Sequence, residues 1–191
     1  MSKDLFIISG CNGAGKTTAS YTVLPKILNC HEFVNADEIA RGLSPFNSES
    51  MAIEAGRLML QRIEALLSKG MSFAIETTLA TKSYVKLVRR AKKKGYKVYI
   101  LFFWLQTPEL AIQRVAERVW HGGHNIPEEI IKRRYVAGID NLFRLFMQEV
   151  DYWIIYDNTF QPRRKVADGR KEEGMKVYNK ELFSLIENYV R

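Results

Sequence analysis

The chain has 191 residues, of which 47% are hydrophobic and 12% aromatic, so it can bury a core. Its two cysteines and three histidines are too few for a disulfide framework or a structural zinc site. No 18-residue stretch is free of charge and the N-terminus has no apolar signal-peptide core, so we expect no membrane span and a cytoplasmic location. The net charge of +8 and the pI near 9.5 favour an anionic partner.

The first predicted element is an apolar run at 5–9, which is typical of a central parallel strand. A glycine-rich loop follows, with the sequence Gly10-Cys11-Asn12-Gly13-Ala14-Gly15-Lys16-Thr17. It matches G-x-x-x-x-G-K-[ST] in full and leads into a helix predicted over 16–24 and ended by Pro25. A strand, this loop and a helix in that order identify a P-loop.

In a P-loop the backbone N–H groups surround phosphates at the positive end of a helix. We therefore predict that ATP is bound by Gly10, Asn12, Gly13, Ala14, Gly15, Lys16, Thr17 and Thr18. Lys16 is expected to contact the β- and γ-phosphates, and the Thr17 hydroxyl is expected to ligate Mg²⁺. The chain has neither the N/T-K-x-D motif of GTPases nor the signature of ABC-type ATPases. A small-molecule kinase would instead need a carboxylate base and arginines near the loop.

The carboxylate candidate is Asp37, which follows a second predicted strand at 32–35. Ligands of open α/β folds bind at the carboxyl edge of the sheet, so Asp37 is placed to act as a catalytic base. The alternative is an N-cap for the following helix, a common role of aspartate. Glu38 is the neighbouring carboxylate that could be confused with it.

A strongly periodic helix is predicted over 48–69, followed by a third strand at 73–76. Glu76 ends that strand, with Thr77 and Thr78 after it. A carboxylate at this edge could hold a Mg²⁺-bound water or bind a substrate hydroxyl. Capping or a surface ion pair is the alternative for Glu76, and the pattern does not choose between them.

The next helix, predicted over 82–94, lies in a basic run without acidic residues. Eight basic residues fall in this run: Lys82, Lys86, Arg89, Arg90, Lys92, Lys93, Lys94 and Lys97. Tyr84, Leu87, Val88 and Ala91 form an apolar stripe at helical spacing within it. We favour a solvated helix face over nucleic-acid binding, because no aromatic residues alternate with the basic ones as a stacking platform would require. Nucleic acid stays open as the second interpretation.

A buried fourth strand is predicted at 97–105, then a helix at 108–118 and another from near Pro127. The Gly122-Gly123-His124-Asn125 break separates the two helices, and arginines flank it on both sides: Arg114, Arg118, Arg133 and Arg134. We predict a phosphate lid over about 114–135, with Arg118 and Arg134 as the catalytic pair. His121 and His124 are interpreted as loop residues and not as metal ligands.

The fifth strand is predicted at 152–156 and ends at Asp157-Asn158, where many P-loop folds hold adenine. The segment 162–178 is expected to be a loop or small hairpin, and a last helix is predicted over 180–190. Strands alternating with helices indicate a parallel sheet covered on both faces. We therefore predict a single three-layer α/β/α domain over residues 1–191.

These motifs resemble the zeta toxin family of P-loop kinases. The resemblance rests on the P-loop, Asn35-Ala36-Asp37, the segment 73–78, and the stretch 118–135 with Gly-Gly-His-Asn-Ile-Pro at its centre. It implies a five-stranded parallel sheet of order 2-3-1-4-5 and transfer of the ATP γ-phosphoryl group to UDP-N-acetylglucosamine. Asp37 would be the general base, Glu76 and Thr78 substrate contacts, and the lid arginines transition-state stabilisers. It also implies a small helical antitoxin that blocks the nucleotide site.

The sequence thus predicts an ATP- and Mg²⁺-dependent phosphotransferase acting on a small hydroxylated acceptor. A kinase of another acceptor, such as a polynucleotide end or an antibiotic, is the nearest alternative. A nucleotide-binding regulatory module without turnover is the alternative from a different class.

Overall fold

The computed structural model describes residues 3–120, 122–123 and 125–190. The strands within these ranges are β1 Lys3–Ser9, β2 Phe33–Val34, β3 Phe73–Thr77, β4 Tyr96–Trp104, β5 Tyr152–Asp157, β6 Arg164–Arg170 and β7 Gly174–Val177. The α-helices are α1 Lys16–Lys26, α2 Ala36–Leu43, α3 Ala52–Lys69, α4 Tyr84–Lys93, α5 Pro108–Trp120, α6 Glu128–Asn141, α7 Met147–Glu149 and α8 Lys180–Glu187. A 3₁₀ turn at Ser48–Met51 precedes α3, and a π turn at Leu142–Phe146 joins α6 to α7. In the described ranges, no helix combines the length and apolar character that crossing a membrane requires.

The strands form one sheet with the order β2-β3-β1-β4-β5-β6-β7. The first five are parallel, which confirms the predicted order 2-3-1-4-5. The sheet is larger than the five strands predicted, because β6 pairs antiparallel with β5 and β7 with β6. These two strands occupy the segment 162–178, where a loop or small hairpin was predicted. A hairpin can extend a sheet edge without a crossover helix, and its short polar strands carry little hydrophobic pattern.

Several helix ends differ from the sequence prediction. α1 continues through Pro25 to Lys26, and the N–H groups that follow still bond to the carbonyl of Val23. α5 extends to Trp120, while α8 ends at Glu187. Helix ends of this kind depend on capping contacts more than on periodicity, so they are the least predictable part of an element.

The connections place α1 on one face of the sheet and the later crossover helices on the other. In this strand order the β1–β2 connection runs towards the β2 edge of the sheet, whereas the other connections between parallel strands run the opposite way. Crossovers between parallel strands are right-handed, so the helix of the β1–β2 connection lies on one face and the helices of the other connections lie on the opposite face. Contacts agree: Tyr96 of β4 donates to the carbonyl of Leu66 in α3, and the Trp104 indole donates to Tyr135 in α6. The three-layer α/β/α arrangement is confirmed, with α1 as the layer on one side within the described part of the chain.

Candidate active site

The loop between β1 and α1 is shaped by glycines. Gly13 and Gly15 have φ of 78° and Gly10 of 136°, a region of backbone conformation that favours glycine. There is also no room for a side chain, since a Cβ on Gly10 would lie 2.0 Å from the carbonyl oxygen of Phe103 and one on Gly15 would lie 2.7 Å from Asn158 Nδ2. The protein itself therefore fixes the curve of the loop, with the N-terminus of α1 directed at the place where a phosphate would bind.

Lys16, Thr17 and Glu76 form a buried polar network where β1 and β3 end. The Lys16 ammonium donates to the carbonyl of Cys11 at 2.9 Å and lies 3.7 Å from Glu76 Oε1. Thr17 Oγ1 donates to the same carboxylate, 2.9 Å from Oε2, and Asn35 Nδ2 donates to Oε2 at 2.9 Å. The side chains of Lys16 and Glu76 are only 7% and 9% exposed. The structure thus holds Glu76 against the P-loop hydroxyl.

Burial raises the pKa of the Glu76 carboxyl, while the Lys16 ammonium and the Thr17 hydrogen bond oppose that change. Hydroxyl and carboxylate oxygens are hard ligands of the kind that Mg²⁺ accepts, directly or through water. In the described ranges, no group of three or more His, Cys, Asp or Glu side chains could hold a metal alone. The Thr17 hydroxyl and the Glu76 carboxylate are the oxygen donors here that fit Mg²⁺, an ion that commonly keeps waters and phosphate oxygens as its other ligands.

Asp37 lies in the first turn of α2, exposed to solvent beside this network. Its alternative role as the N-cap is wrong, because the cap is Asn35, whose Oδ1 accepts from the N–H groups of Asp37 at 2.9 Å and Glu38 at 3.4 Å. The charge of Asp37 is near enough to Glu76 to raise the pKa of that carboxyl. Asn35 therefore joins α2 to Glu76, a role that the sequence analysis missed although Asn before a helix is a familiar cap.

The backbone after β3 is held against α6. Leu79 is buried with φ of 60°, and its carbonyl accepts from Asn141 Nδ2 at 2.9 Å. Gly138 lets α6 approach closely, because a Cβ at that position would lie 2.6 Å from the carbonyl oxygen of Thr78. These contacts fix the backbone of Thr78, the predicted substrate contact, two residues after Glu76.

Among the lid arginines, Arg134 of α6 reaches the P-loop, where its Nη1 donates to Asn12 Oδ1 at 3.2 Å. Arg118 is half-buried at the end of α5, and the N–H of Gly123 donates to its carbonyl at 2.9 Å. Arg133 is exposed. The roles of Arg118 and Arg134 stay predictions, and the contact with Asn12 favours Arg134. His121 and His124 lie outside the described residues.

Arg114 has a different role from the phosphate contact considered for it. Its guanidinium donates to the carbonyls of Asn158 at 3.0 Å and Thr159 at 2.8 Å. Asn158 in turn donates from Nδ2 to the carbonyl of Ala14 at 2.8 Å. The loop after β5 is thereby joined to both α5 and the P-loop. The sequence analysis placed Asn158 near adenine but had no pattern from which to find this link.

The basic helix α4 buries the predicted apolar residues Leu87, Val88 and Ala91. Three of its cations are paired with acidic side chains elsewhere in the chain: Arg89 with Glu149 of α7, Arg90 with Glu64 of α3, and Lys92 with Asp151 just before β5. Ion pairs of this kind are typical of a solvated helix face, so they support that interpretation of the basic run.

With the site in place, comparison with known proteins gives the family. The family model described as Zeta toxin matches residues 1–182. The chain belongs to the zeta toxin family. This confirms the resemblance drawn from the P-loop and the lid. A relative from Haemophilus influenzae, named only as an uncharacterized protein, is 29% identical to this zeta toxin family member over 126 residues, covering 66% of this chain and 88% of the relative.

Solved structures show the same fold. A chain of the AvrRxo1-ORF1:-ORF2 complex with ATP matches with a TM-score of 0.78 at 20% identity, over 97% of this chain and 63% of that chain. The PezAT chromosomal toxin–antitoxin system of Streptococcus pneumoniae matches with a TM-score of 0.66 at 20% identity, over 98% of this chain and 86% of that chain. This zeta toxin family chain thus spans less than two thirds of the AvrRxo1 complex chain. The similarity to the two solved structures establishes the P-loop kinase fold.

Proposed function

We propose that this protein is an ATP- and Mg²⁺-dependent phosphotransferase that moves the γ-phosphoryl group of ATP to a hydroxyl group of a small acceptor. The observation that supports this most is the pairing of two features. Lys16, Thr17 and Glu76 form a buried network on the P-loop, and the exposed carboxylate of Asp37 lies beside it. An ATP-binding module without turnover would need the first feature but not the second.

In the proposed reaction, the acceptor oxygen forms a bond to the γ-phosphorus while the bond from that phosphorus to the β–γ bridging oxygen breaks. Asp37 takes the proton of the acceptor hydroxyl. Lys16 and Arg134 place positive charge beside the oxygens of the transferring group, where negative charge is spread. Asn12, which accepts from Arg134, holds that guanidinium at the loop.

Mg²⁺ would be held by the Thr17 hydroxyl and, directly or through water, by Glu76. When bound it supplies positive charge to the β- and γ-phosphate oxygens. Asn35 keeps the Glu76 carboxylate turned towards Thr17, since it donates to Oε2 from the start of α2. We therefore propose that Glu76, predicted as a substrate contact, acts chiefly on the metal side of the site, and that Thr78 and Asp37 meet the acceptor.

The acceptor to test first is UDP-N-acetylglucosamine, because the chain belongs to the zeta toxin family and carries Asp37, Glu76 and Thr78 in the order of the resemblance. The protein, ATP, Mg²⁺ and the nucleotide sugar are incubated and the sugar is analysed by mass spectrometry. We expect it to gain one phosphate. Phosphorylation of a 5′-hydroxyl oligonucleotide or an aminoglycoside instead would keep the kinase and replace its acceptor.

The role of Asp37 is tested with Asp37→Asn, and Glu38→Gln is the matched control. Asp37→Asn should lower transfer by roughly 10²–10⁴-fold while ATP still stabilises the protein, and Glu38→Gln should keep transfer near the parent rate. Equal, undiminished transfer in both variants would remove Asp37 from the mechanism. ATP binding without transfer to any acceptor tried would favour the regulatory module.

A protein partner belongs to the same proposal. The two solved relatives come from a complex of two gene products and from a toxin–antitoxin system. We propose that an antitoxin binds this protein and blocks phosphoryl transfer. Undiminished transfer in the presence of a saturating amount of a protein that co-purifies with this chain would contradict it.

A further inference from the structure

Asn35 lies where the sheet ends and the helix that carries Asp37 begins. β2 pairs in parallel with β3, and Val34 opposite Ile75 is the last pair of their register. Asn35 and Glu76 each come one residue later, so they lie side by side at the carboxyl edge of the sheet. Asn35 still has an extended backbone, with φ of −130° and ψ of 119°, and α2 begins at the next residue. The end of β2 therefore places a single side chain between Glu76 and α2.

Three hydrogen bonds connect Asn35 to α2. Its Oδ1 accepts from the N–H groups of Asp37 at 2.9 Å and Glu38 at 3.4 Å, and its backbone carbonyl accepts from the N–H of Ile39 at 3.1 Å. Asn35 is only 5% exposed, so water has little access to replace these bonds. The direction of the Asn35 amide and the first turn of α2, which includes Asp37, are therefore fixed together.

The nitrogen of the same amide holds Glu76. Asn35 Nδ2 donates to Glu76 Oε2 at 2.9 Å, and this oxygen also accepts from Thr17 at 2.9 Å. The carboxylate is only 9% exposed, and the Lys16 ammonium lies 3.7 Å from its other oxygen, Oε1. Glu76 is thus held by Lys16, Thr17 and Asn35. Of these three contacts, the one from Asn35 connects the carboxylate to α2.

An amide is the side-chain group that suits this position. The residues that commonly cap helix N-termini are Ser, Thr, Asp and Asn. An ionised Asp has only acceptors, so it could cap α2 but would repel the Glu76 carboxylate. A Ser or Thr hydroxyl is shorter and would have to make both contacts from one oxygen atom. Asn carries its acceptor and its donor on separate atoms, and at position 35 each atom bonds a different part of the site.

We propose that Asn35 is a positioning residue that couples the metal side of the site to the base. This inference rests on the proposed phosphotransferase function, in which Glu76 holds Mg²⁺ and Asp37 takes the proton of the acceptor hydroxyl. The Glu76 carboxylate then also sets, through the amide of Asn35, the direction in which the first turn of α2 presents Asp37. A base works only within hydrogen-bond reach of the proton that it takes, so transfer depends on this link.

The test compares Asn35→Ser with Asn179→Ser in the whole chain. Serine is as good an N-cap as asparagine, but from position 35 its side chain is too short to reach Glu76 as well. Asn179 is the matched control, because its Oδ1 caps α8 by accepting from the N–H of Leu182 at 2.9 Å and α8 carries no residue assigned to the site. Hydrogen exchange of the α2 peptide is measured by mass spectrometry with and without Mg²⁺-ATP, and kcat and KM are measured for phosphoryl transfer.

In the parent protein and in Asn179→Ser, Mg²⁺-ATP should slow hydrogen exchange in α2, and ATP without Mg²⁺ should slow it less. Asn35→Ser should lose this response, while its exchange without ligand stays close to that of the parent because the cap is kept. Its kcat should fall about 10–100-fold, the usual cost of losing a partner that orients a metal-binding carboxylate, with little change in acceptor KM. In an Asp37→Asn background the same substitution should lower the remaining kcat by a much smaller factor, since the base that Asn35 positions is gone.

Three results would overturn the proposal: an undiminished response of α2 to Mg²⁺-ATP in Asn35→Ser, a kcat equal to that of the parent, and an equal loss of kcat with and without Asp37. A parent protein that transfers phosphate to no acceptor would instead contradict the proposed function, and the exchange response would then decide the link between Glu76 and α2 by itself. Circular dichroism separates lost coupling from lost folding. If Asn35→Ser does not fold, Asn35→Asp takes its place, since it keeps the size and the cap oxygen of Asn35 but has no donor for Glu76.

Discussion

The two sides of the proposed phosphate site are built in different ways. On the P-loop side, left-handed glycines and a buried network fix Lys16 against Glu76. On the lid side, Arg134 is half-buried and its contact with the loop is one hydrogen bond to Asn12. A rigid cradle favours ATP in the ground state, whereas a side chain that can adjust is suited to charge that develops during transfer. Substitutions on the two sides should therefore separate binding from turnover.

The largest effect is expected on the P-loop side, from Lys16→Ala. A hundredfold excess of ATP over its Kd should stabilise the parent protein by about 2.7 kcal/mol, or roughly 5–10 °C in Tm for a chain of this size. Lys16→Ala should show no shift and no transfer in scanning fluorimetry and a coupled assay. Lys26→Ala, at the exposed end of the same helix, is the control and should keep both. A full ATP-dependent Tm shift in Lys16→Ala would contradict the assignment of ATP binding to the P-loop side.

On the lid side, Arg134→Ala should lower turnover by roughly 10²–10³-fold, the usual cost of one lost donor to a developing charge. The ATP-dependent Tm shift should stay close to that of the parent. Its exposed neighbour provides the control, since Arg133→Ala should change neither quantity. If Arg134→Ala instead loses ATP binding and turnover together, the lid arginine also contacts ATP before transfer begins.

A smaller effect should come from Gly138→Ala, which tests the contact between α6 and the backbone of Thr78. Alanine normally stabilises a helix by up to about 1 kcal/mol relative to glycine, but here its Cβ would meet the Thr78 carbonyl at 2.6 Å. We expect a net loss of about 1–3 kcal/mol in urea unfolding and a raised acceptor KM. Gly56→Ala in α3, where a Cβ meets nothing within 4 Å, should be stabilising. A stabilised Gly138→Ala variant would show that Thr78 is not held by this contact.

The smallest effect is expected from Arg114→Lys, since it changes only how the loop after β5 is joined to α5. Lysine cannot reproduce the two parallel bonds to the Asn158 and Thr159 carbonyls. ATP affinity measured by calorimetry should fall about fivefold, corresponding to about 1 kcal/mol. Arg144→Lys, in an exposed pair with Asp140, should leave affinity unaltered. Unchanged affinity in both would remove the loop from the nucleotide site.

The P-loop and the strand order were accessible from sequence, for different reasons. The loop is a local motif whose chemistry depends on eight consecutive residues, Gly10 to Thr17. The parallel arrangement followed from apolar runs alternating with periodic helices, and the order from the family resemblance. Of the two alternatives for 162–178, the hairpin is correct, since β6 and β7 pair antiparallel. Its pairing with β5 was not predicted, because β7 is largely exposed and has no apolar run that would indicate a sheet strand.

What the sequence determined by itself is therefore local: the phosphate loop, the alternation of strands and helices, and the carboxylates and arginines that end them. Tertiary structure alone decided which of those side chains meet. Asn35 bonds Glu76 across 41 positions, and Arg134 bonds Asn12 across 122. Such contacts leave no periodic trace in the chain, because their partners are brought together only when separate strands and helices pack.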